Sequence, residues 1–259
     1  MATQEKENKI FDKLQRKIDK YERENRFLRK RSEDQQAIEE VFDKRTKMAL
    51  YNLMKDKSFQ TLNGVVKTGK EARIYWGLTN NEESIAVKIY LTFTAEFRNR
   101  LKYIDGDPRF RAVKGISKIV ELWARKEFRN LNAAIKAGVR VPKPIFVKKN
   151  ILGMEFIGKD GVSAPTLKEI EVTKSDYLKI LTLIRKLYVK GKLVHSDLSE
   201  YNIFKWKGEI ILFDMGSAVN IKHPNSTTYL QRDINNINQF FEKRGIKINN
   251  NWVNKVINK

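Results

Sequence analysis

From residue 62 onward the apolar residues change rhythm several times, and each rhythm predicts an element. Strand-favouring residues run through Leu62–Lys67, Ala72–Gly77 and Ile85–Tyr90, and again through Pro144–Lys148 and Ile151–Phe156. Between Tyr90 and Pro144 a helical period takes over. Ser117 is a capping residue type, Gly138 is a stop signal, and the helix is expected to run to about Ala137. Val120, Trp123, Glu127, Leu131 and Ala134 fall on one stripe of it, so the Glu127 carboxylate shares a face with apolar side chains. Residues 104–116 read as a loop, because Gly106, Pro108 and Gly115 break any period. A helix over about Ser175–Lys190 stops at Gly191. Ile203–Trp206 and Glu209–Phe213 read as two strands joined by a tight turn at Lys207-Gly208, and helical patterns return over about 226–244 and 249–258.

Residues 1–60 have a different texture, of charged helices. Phe11, Leu14, Ile18, Tyr21, Asn25 and Leu28 recur at alternating spacings of three and four. That seam is too short for a coiled coil and reads as a docking face. Arg26, Arg29, Lys30 and Arg31 read as a solvated basic face, and Ile38–Leu53 as a second helix. The expected division is a charged helical extension over 1–60 and a main domain over 61–259, with lobes at about 61–157 and 158–259.

The hairpin gives the pattern its chemistry. In an antiparallel pair the start of the first strand lies beside the end of the second. Asn202, just before the first strand, therefore comes near Asp214, just after the second. Both offer oxygen, the ligand type that magnesium prefers. Asp197 lies five residues before Asn202, on the loop leading into the hairpin, and can reach the same place. Three oxygen side chains so spaced suit phosphoryl transfer from a magnesium-bound nucleotide.

Other segments add weaker signals. Gly64-Val-Val-Lys67-Thr-Gly69-Lys70-Glu71 approaches a phosphate-binding loop, but Glu71 stands where a hydroxyl is needed. The following Ala72–Trp76 looks like a strand and not a helix. What remains is a glycine turn whose N–H groups could cover phosphates, or a plain hairpin. Lys88 sits in the apolar run Ala86-Val-Lys-Ile89 and needs an anion or a way out of the core. Glu127 is a candidate partner for it.

Charge and cysteine count narrow the setting. The 259-residue chain carries a formal charge of +21 and no cysteine. Residues 1–60 contribute only +4, while 91–150 alone contribute +10. The excess lies on the body of the protein. It suits a polyanion such as RNA, or a lysine-rich solvated surface. Disulfides and thiolate metal sites are excluded, and a reducing, cytoplasmic setting is expected. Met1–Lys9 is too polar for a signal peptide, and no apolar run approaches membrane-spanning length.

Taken in order, the glycine turn, strand lysine, helix glutamate, His-x-Asp with Asn five later, and Asp-x-Gly resemble the protein-kinase set. The departures are Ser196 in place of arginine, Met215 in place of phenylalanine, no Ala-Pro-Glu, and a short stretch after Gly216. With them the chain resembles the RIO family of atypical serine/threonine kinases, type-one branch. The carrying stretches are Thr68–Ala72, Ala86–Tyr90, Trp123–Leu131, Met154–Asp160 with Ala164-Pro165, Leu193–Asn202 and Phe213–Gly216.

That resemblance implies an α+β, trimmed two-lobed kinase-like fold. The N-lobe would hold a twisted antiparallel sheet plus a helix, and the mainly helical C-lobe would lack the peptide-binding subdomains. It implies ATP with magnesium or manganese. Asp197 would be the catalytic residue, Asn202 and Asp214 the metal ligands, and Asp214 also an acceptor of a transient aspartyl-phosphate. Nucleotide binding would fall to Lys67, Gly69, Lys70, Glu71, Ala72, Lys88, Glu127 and the hinge residues Met154, Glu155 and Ile157. Kinase or ATPase action in maturation of the small ribosomal subunit is implied, with pre-ribosomal particles and ribosomal RNA as partners. A protein substrate or autophosphorylation is also implied, and the short C-terminus suggests an archaeal version. Two alternatives stay open at this level: a small-molecule kinase of the aminoglycoside or choline type, and an RNA-binding pseudokinase scaffold.

Overall fold

Asp43 caps a helix, its carboxylate accepting from the Thr46 N–H at 2.7 Å. The computed structural model describes residues 43–91, 100–111, 113 and 115–248. The predicted seam over Phe11–Leu28 and the helix over 249–258 lie outside them. The helix capped by Asp43, α1, spans Lys44–Lys55 and buries Thr46, Ala49, Leu50 and Leu53. It covers part of the predicted Ile38–Leu53 helix.

The described residues form two compact units. The first draws on the described residues within 1–97, 114–125 and 144–163, and the second on those within 98–113, 126–143 and 164–259. In the first unit, β1 (Thr61–Thr68), β2 (Ala72–Leu78), β3 (Ser84–Tyr90), β4 (Pro144–Lys148) and β5 (Ile151–Glu155) make one sheet in the order β1-β2-β3-β5-β4. Every neighbouring pair is antiparallel. The five predicted strands are all present, with ends moved by one residue or less. One sheet face packs on α1 through Leu50, Leu53, Phe59, Leu62, Tyr75, Val87 and Ile89. A hydroxyl–amide pair ties α1 to the sheet, with Thr46 and Asn150 buried and Asn150 Nδ2 donating to Thr46 Oγ1 at 3.0 Å. The short strands β6 (Gly158–Lys159) and β7 (Val162–Ser163) pair beyond β5.

The predicted helix at Ser117 is α2, Ile116–Lys136. Ser117 lies inside it, and its hydroxyl accepts from Arg45 at 3.0 Å. In the second unit, α3 (Lys174–Val189) starts at a reciprocal cap. Thr173 accepts from Asp176 N, and Asp176 accepts from Thr173 N. β8 (Leu193–Val194) pairs with β11 (Val219–Asn220), and β9 (Ile203–Trp206) with β10 (Glu209–Leu212). The last helix, α4, is Ser226–Glu242.

The loop read over 104–116 has definite structure through 111. It follows a 3-10 turn at Leu101–Tyr103. His223 Nε2 bonds the carbonyls of Lys102 at 3.0 Å and Asp105 at 2.9 Å, while its Nδ1 accepts from Asn225 N. Tyr103 packs on Tyr229 with the rings tilted, 5.4 Å between centroids. No described helix is long and apolar enough to cross a membrane.

Candidate active site

The hairpin has the form its period implied. Lys207 and Gly208 both have positive φ, 48° and 80°, the conformation a two-residue hairpin turn requires. The register runs from Glu209 opposite Trp206 to Leu212 opposite Ile203. It continues one step further, with Phe213 N donating to the Asn202 carbonyl at 3.0 Å. Phe204 and Phe213 stack at 3.9 Å. Asn202 is thus anchored beside the residue that precedes Asp214. Asn202 Nδ2 donates to the Asp197 carbonyl at 2.8 Å, which brings the third predicted residue to the same place. Its Oδ1 is the side-chain atom able to ligate a cation.

Asp214 sits in the left-handed region, φ 59° and ψ 55°. A non-glycine residue there costs about 1–3 kcal/mol and persists only where its surroundings hold it. Part of the hold is His195, buried, with Nε2 3.0 Å from the Phe213 carbonyl. A carbonyl only accepts, so Nε2 carries the proton. Ser196 is also left-handed, φ 70°.

The loop that carries Asp197 has a second anchor that sequence reasoning missed. Asp233, buried on α4, accepts from the N–H groups of Ser196 at 2.7 Å and Leu198 at 3.0 Å. Arg232 donates to the Ser196 carbonyl, and Asn236 to the Leu198 carbonyl at 3.1 Å. Both peptides flanking Asp197 are therefore pinned. The signal was legible: Asp233 lies among Tyr229, Leu230, Ile234 and Ile237 on the buried side of α4, as Glu127 lies on its stripe.

Burial, and repulsion from Asp214, push the Asp197 carboxyl above its usual range, against the pull of His195, Arg232 and Arg100. Asp233 is pushed up to about 6 by burial, opposed by His195 and its two backbone donors. Burial lowers the Arg100 guanidinium, while attraction to both Asp214 and Asp197 raises it. Two carboxylates near enough to repel, with an amide oxygen beside them, form a hard-oxygen set that a divalent cation would relieve. No group of three or more His, Cys, Asp or Glu among the described residues could hold an ion alone. Magnesium commonly takes one or two protein ligands and completes its shell with phosphate and water. Asn202 and Asp214 fit that habit.

The predicted nucleotide residues all lie in the first unit, except Glu127. Lys67 lies one residue before the end of β1, and Gly69, Lys70 and Glu71 make the turn into Ala72, with Gly69 N donating to Ala72 O at 3.0 Å. A strand follows this turn, as read from Ala72–Trp76. Lys88 occupies the middle of the sheet, paired with Ile74 and Leu152, buried, its Nζ 5.1 Å from the Tyr90 ring centroid. Met154 and Glu155 end β5, opposite Ala86 and Ile85, and Ile157 is buried just beyond. A Cβ at Gly158 would fall 2.1 Å from the Val162 carbonyl, so only glycine fits. Glu127 is fully buried on α2 with Val120, Trp123, Leu131 and Ala134, as the stripe implied.

Residues 73–253 match the RIO domain family. The chain is 40% identical over 239 residues to the RIO-type serine/threonine-protein kinase Rio1 of Haloferax volcanii, covering 90% of this chain and 81% of that one. It is also 40% identical over 223 residues to the serine/threonine-protein kinase rio1 of Dictyostelium discoideum, covering 83% of this chain and 38% of that longer one. Its fold matches the crystal structure of a Rio2 kinase-ADP/Mg2+-phosphoaspartate complex from Chaetomium thermophilum. The TM-score is 0.63 at 22% identity, over 82% of this chain and 65% of that one. The architecture is accordingly α+β and kinase-like, and the chain belongs to the RIO family of serine/threonine-protein kinases.

Proposed function

We propose that this chain transfers the γ-phosphate of magnesium-bound ATP, as a serine/threonine kinase with accompanying ATPase turnover. The observation that carries the reading is the convergence of Asp197, Asn202 and Asp214 on one short hairpin and its leading loop. Asn202 and Asp214 would hold the metal, which when bound neutralises charge on the transferred phosphate. Lys88 would grip the α- and β-phosphates, and the 69–72 turn would cover them. The Met154–Ile157 backbone would hold the adenine edge.

Asp197 acts as the proton acceptor. The serine or threonine oxygen attacks the γ-phosphorus, its bond to the bridging oxygen of ADP breaks, and the hydroxyl proton passes to the Asp197 carboxylate. Burial and the neighbouring Asp214 raise the proton affinity of that carboxylate, which suits a base. With Asp214 as acceptor, a carboxylate oxygen makes the same attack, ADP leaves, and water later releases phosphate. The Chaetomium relative, described as a phosphoaspartate complex, supports that variant. Maturation of the small ribosomal subunit in the cytoplasm is the proposed setting, and the +21 charge suits a ribosomal RNA partner.

The test uses radiolabelled ATP with parent, Asp197→Asn and Asp214→Asn chains. Asp197→Asn should lose about 10²–10⁴-fold in turnover and keep nucleotide binding. A hydroxylamine-sensitive phosphoenzyme should form in the parent and be missing in Asp214→Asn. Parental turnover in Asp197→Asn would remove the role assigned to that carboxylate.

A further inference from the structure

After Asp214 the chain makes one 3-10 turn, Met215–Ser217, before entering β11. So tight a turn leaves its carbonyls short of regular partners, and buried carbonyls need them. Side chains from two remote segments supply them. Asn130 Nδ2 donates to Met215 O at 2.8 Å and to Ala218 O at 2.9 Å. Lys126 Nζ donates to Gly216 O at 2.9 Å and also to Ala218 O. Lys126 and Asn130 are both fully buried and lie one turn apart on α2, hence on one face.

A further shell aims these two groups. Arg109 donates to Asn130 Oδ1 at 2.8 Å, which turns the amide so that its NH2 faces the carbonyls. Arg109 reaches Ala218 O itself, at 3.4 Å. Asp107 holds the guanidinium with two bonds, at 2.9 and 2.7 Å, and accepts from Asn220 N at 3.2 Å, at the far end of the same segment. The Phe110 ring lies near all three cations, with centroid distances of 5.0 Å to Arg109, 5.7 Å to Arg129 and 5.8 Å to Lys126.

Burying a lysine is expensive, and apolar residues of similar size often serve stability as well. A network that keeps one here fixes a particular backbone path. The path it fixes begins one residue after a left-handed aspartate, a conformation that must be held from outside. We propose that Lys126, Asn130 and Arg109 are positioning residues for the metal-binding carboxylate, clamping the 215–218 backbone and so setting where Asp214 points. The segment 107–110, far in sequence from the motif, is thereby part of the metal site. This proposal rests on the reading of Asp214 as a metal ligand.

The experiment titrates Mn2+ into the full chain with ADP, counting free ion by electron paramagnetic resonance, and measures ADP binding without metal separately. The variants are Asn130→Leu and Arg109→Met. Arg109→Met is made together with Asp107→Asn, because removing the guanidinium alone would strand the buried Asp107 carboxylate, and this pair decides alone should Asn130→Leu not fold. Thr46→Val in the first unit, which breaks the Asn150 pair, controls for destabilisation. Both clamp variants should weaken nucleotide-dependent Mn2+ uptake by about tenfold or more, as loss of outer-shell support generally does, with metal-free ADP affinity unchanged. Thr46→Val should lower the melting temperature and leave Mn2+ uptake as in the parent. Parental Mn2+ affinity in the paired Arg109→Met and Asp107→Asn variant overturns the clamp while leaving the metal site standing. A parent chain that takes up no Mn2+ with ADP overturns the metal-ligand reading itself, and the clamp with it.

Discussion

Asp233→Asn separates two effects that one carboxylate combines. In the native chain burial pushes the Asp233 carboxyl from its ordinary 3.8 up to about 6. Between those values the folded protein keeps a proton that the unfolded chain has released. Stability therefore falls as pH rises. The contribution is fully present below 3.8 and lost once pH passes the folded value near 6. A gap of about two pH units, at about 1.4 kcal/mol each, makes the change about 3 kcal/mol. Asparagine does not titrate, so this pH dependence vanishes in the variant. A second effect does not depend on pH. The two oxygens of Asp233 serve two N–H groups, Ser196 and Leu198, and asparagine has only one oxygen to offer. One buried N–H is left facing an NH2 group, a loss of about 1–3 kcal/mol. Urea unfolding of both chains at steps from about pH 4 to about pH 7, followed by tryptophan fluorescence and far-ultraviolet dichroism together, gives the difference in stability at each pH. That difference should shrink steadily with rising pH and level off above the native value. Asp197, also raised, is present in both chains and cancels to first order. A difference that stays constant across the range would show that the carboxyl is not held protonated in the fold, its backbone donors offsetting burial, and one that grows with pH would show that they outweigh it.

The other expectations are simpler. Chelation by EDTA should abolish turnover, and magnesium or manganese should restore it; activity that survives chelation counts against Asn202 and Asp214 as ligands. Thr173→Ala removes the reciprocal cap of α3, where Thr173 Oγ1 also bonds Asp176 at 2.9 Å, and should cost about 1 kcal/mol, read as a fall of about 2–4 °C in melting temperature. Gly158→Ala places a methyl 2.1 Å from the Val162 carbonyl, so the hairpin beyond β5 must shift, and KM for ATP should rise while the fold, seen by circular dichroism, persists. An unchanged KM would detach that hairpin from nucleotide binding.

How much of this was legible in the sequence depends on how local each signal was. The β9–β10 hairpin was readable because its evidence is contiguous: strand-favouring runs, a turn that needs positive φ, and motif residues at the two open ends. The same holds for Glu127, where one period exposes an acid on an apolar stripe. The stripe argument stopped a residue short, however. It treated α2 as having one buried face, whereas Lys126 and Asn130, off that stripe, are just as buried. A lysine beside a glutamate on a charged helix reads as surface, and only the chain that comes to lie against it says otherwise. Residues 104–111 were illegible for the same reason. Gly106 and Pro108 erase any period, and the order there comes from His223, Tyr229 and Asn220, more than a hundred residues away. A period reports which face of an element is dry. It does not report what a buried polar group is for, because that depends on carbonyls and N–H groups every residue carries alike. Asp233, Lys126 and Asn130 all act on backbone groups of this kind, which is why the motif residues Asp197, Asn202 and Asp214 stood out first and the residues that hold the backbone beside them emerged only with the fold.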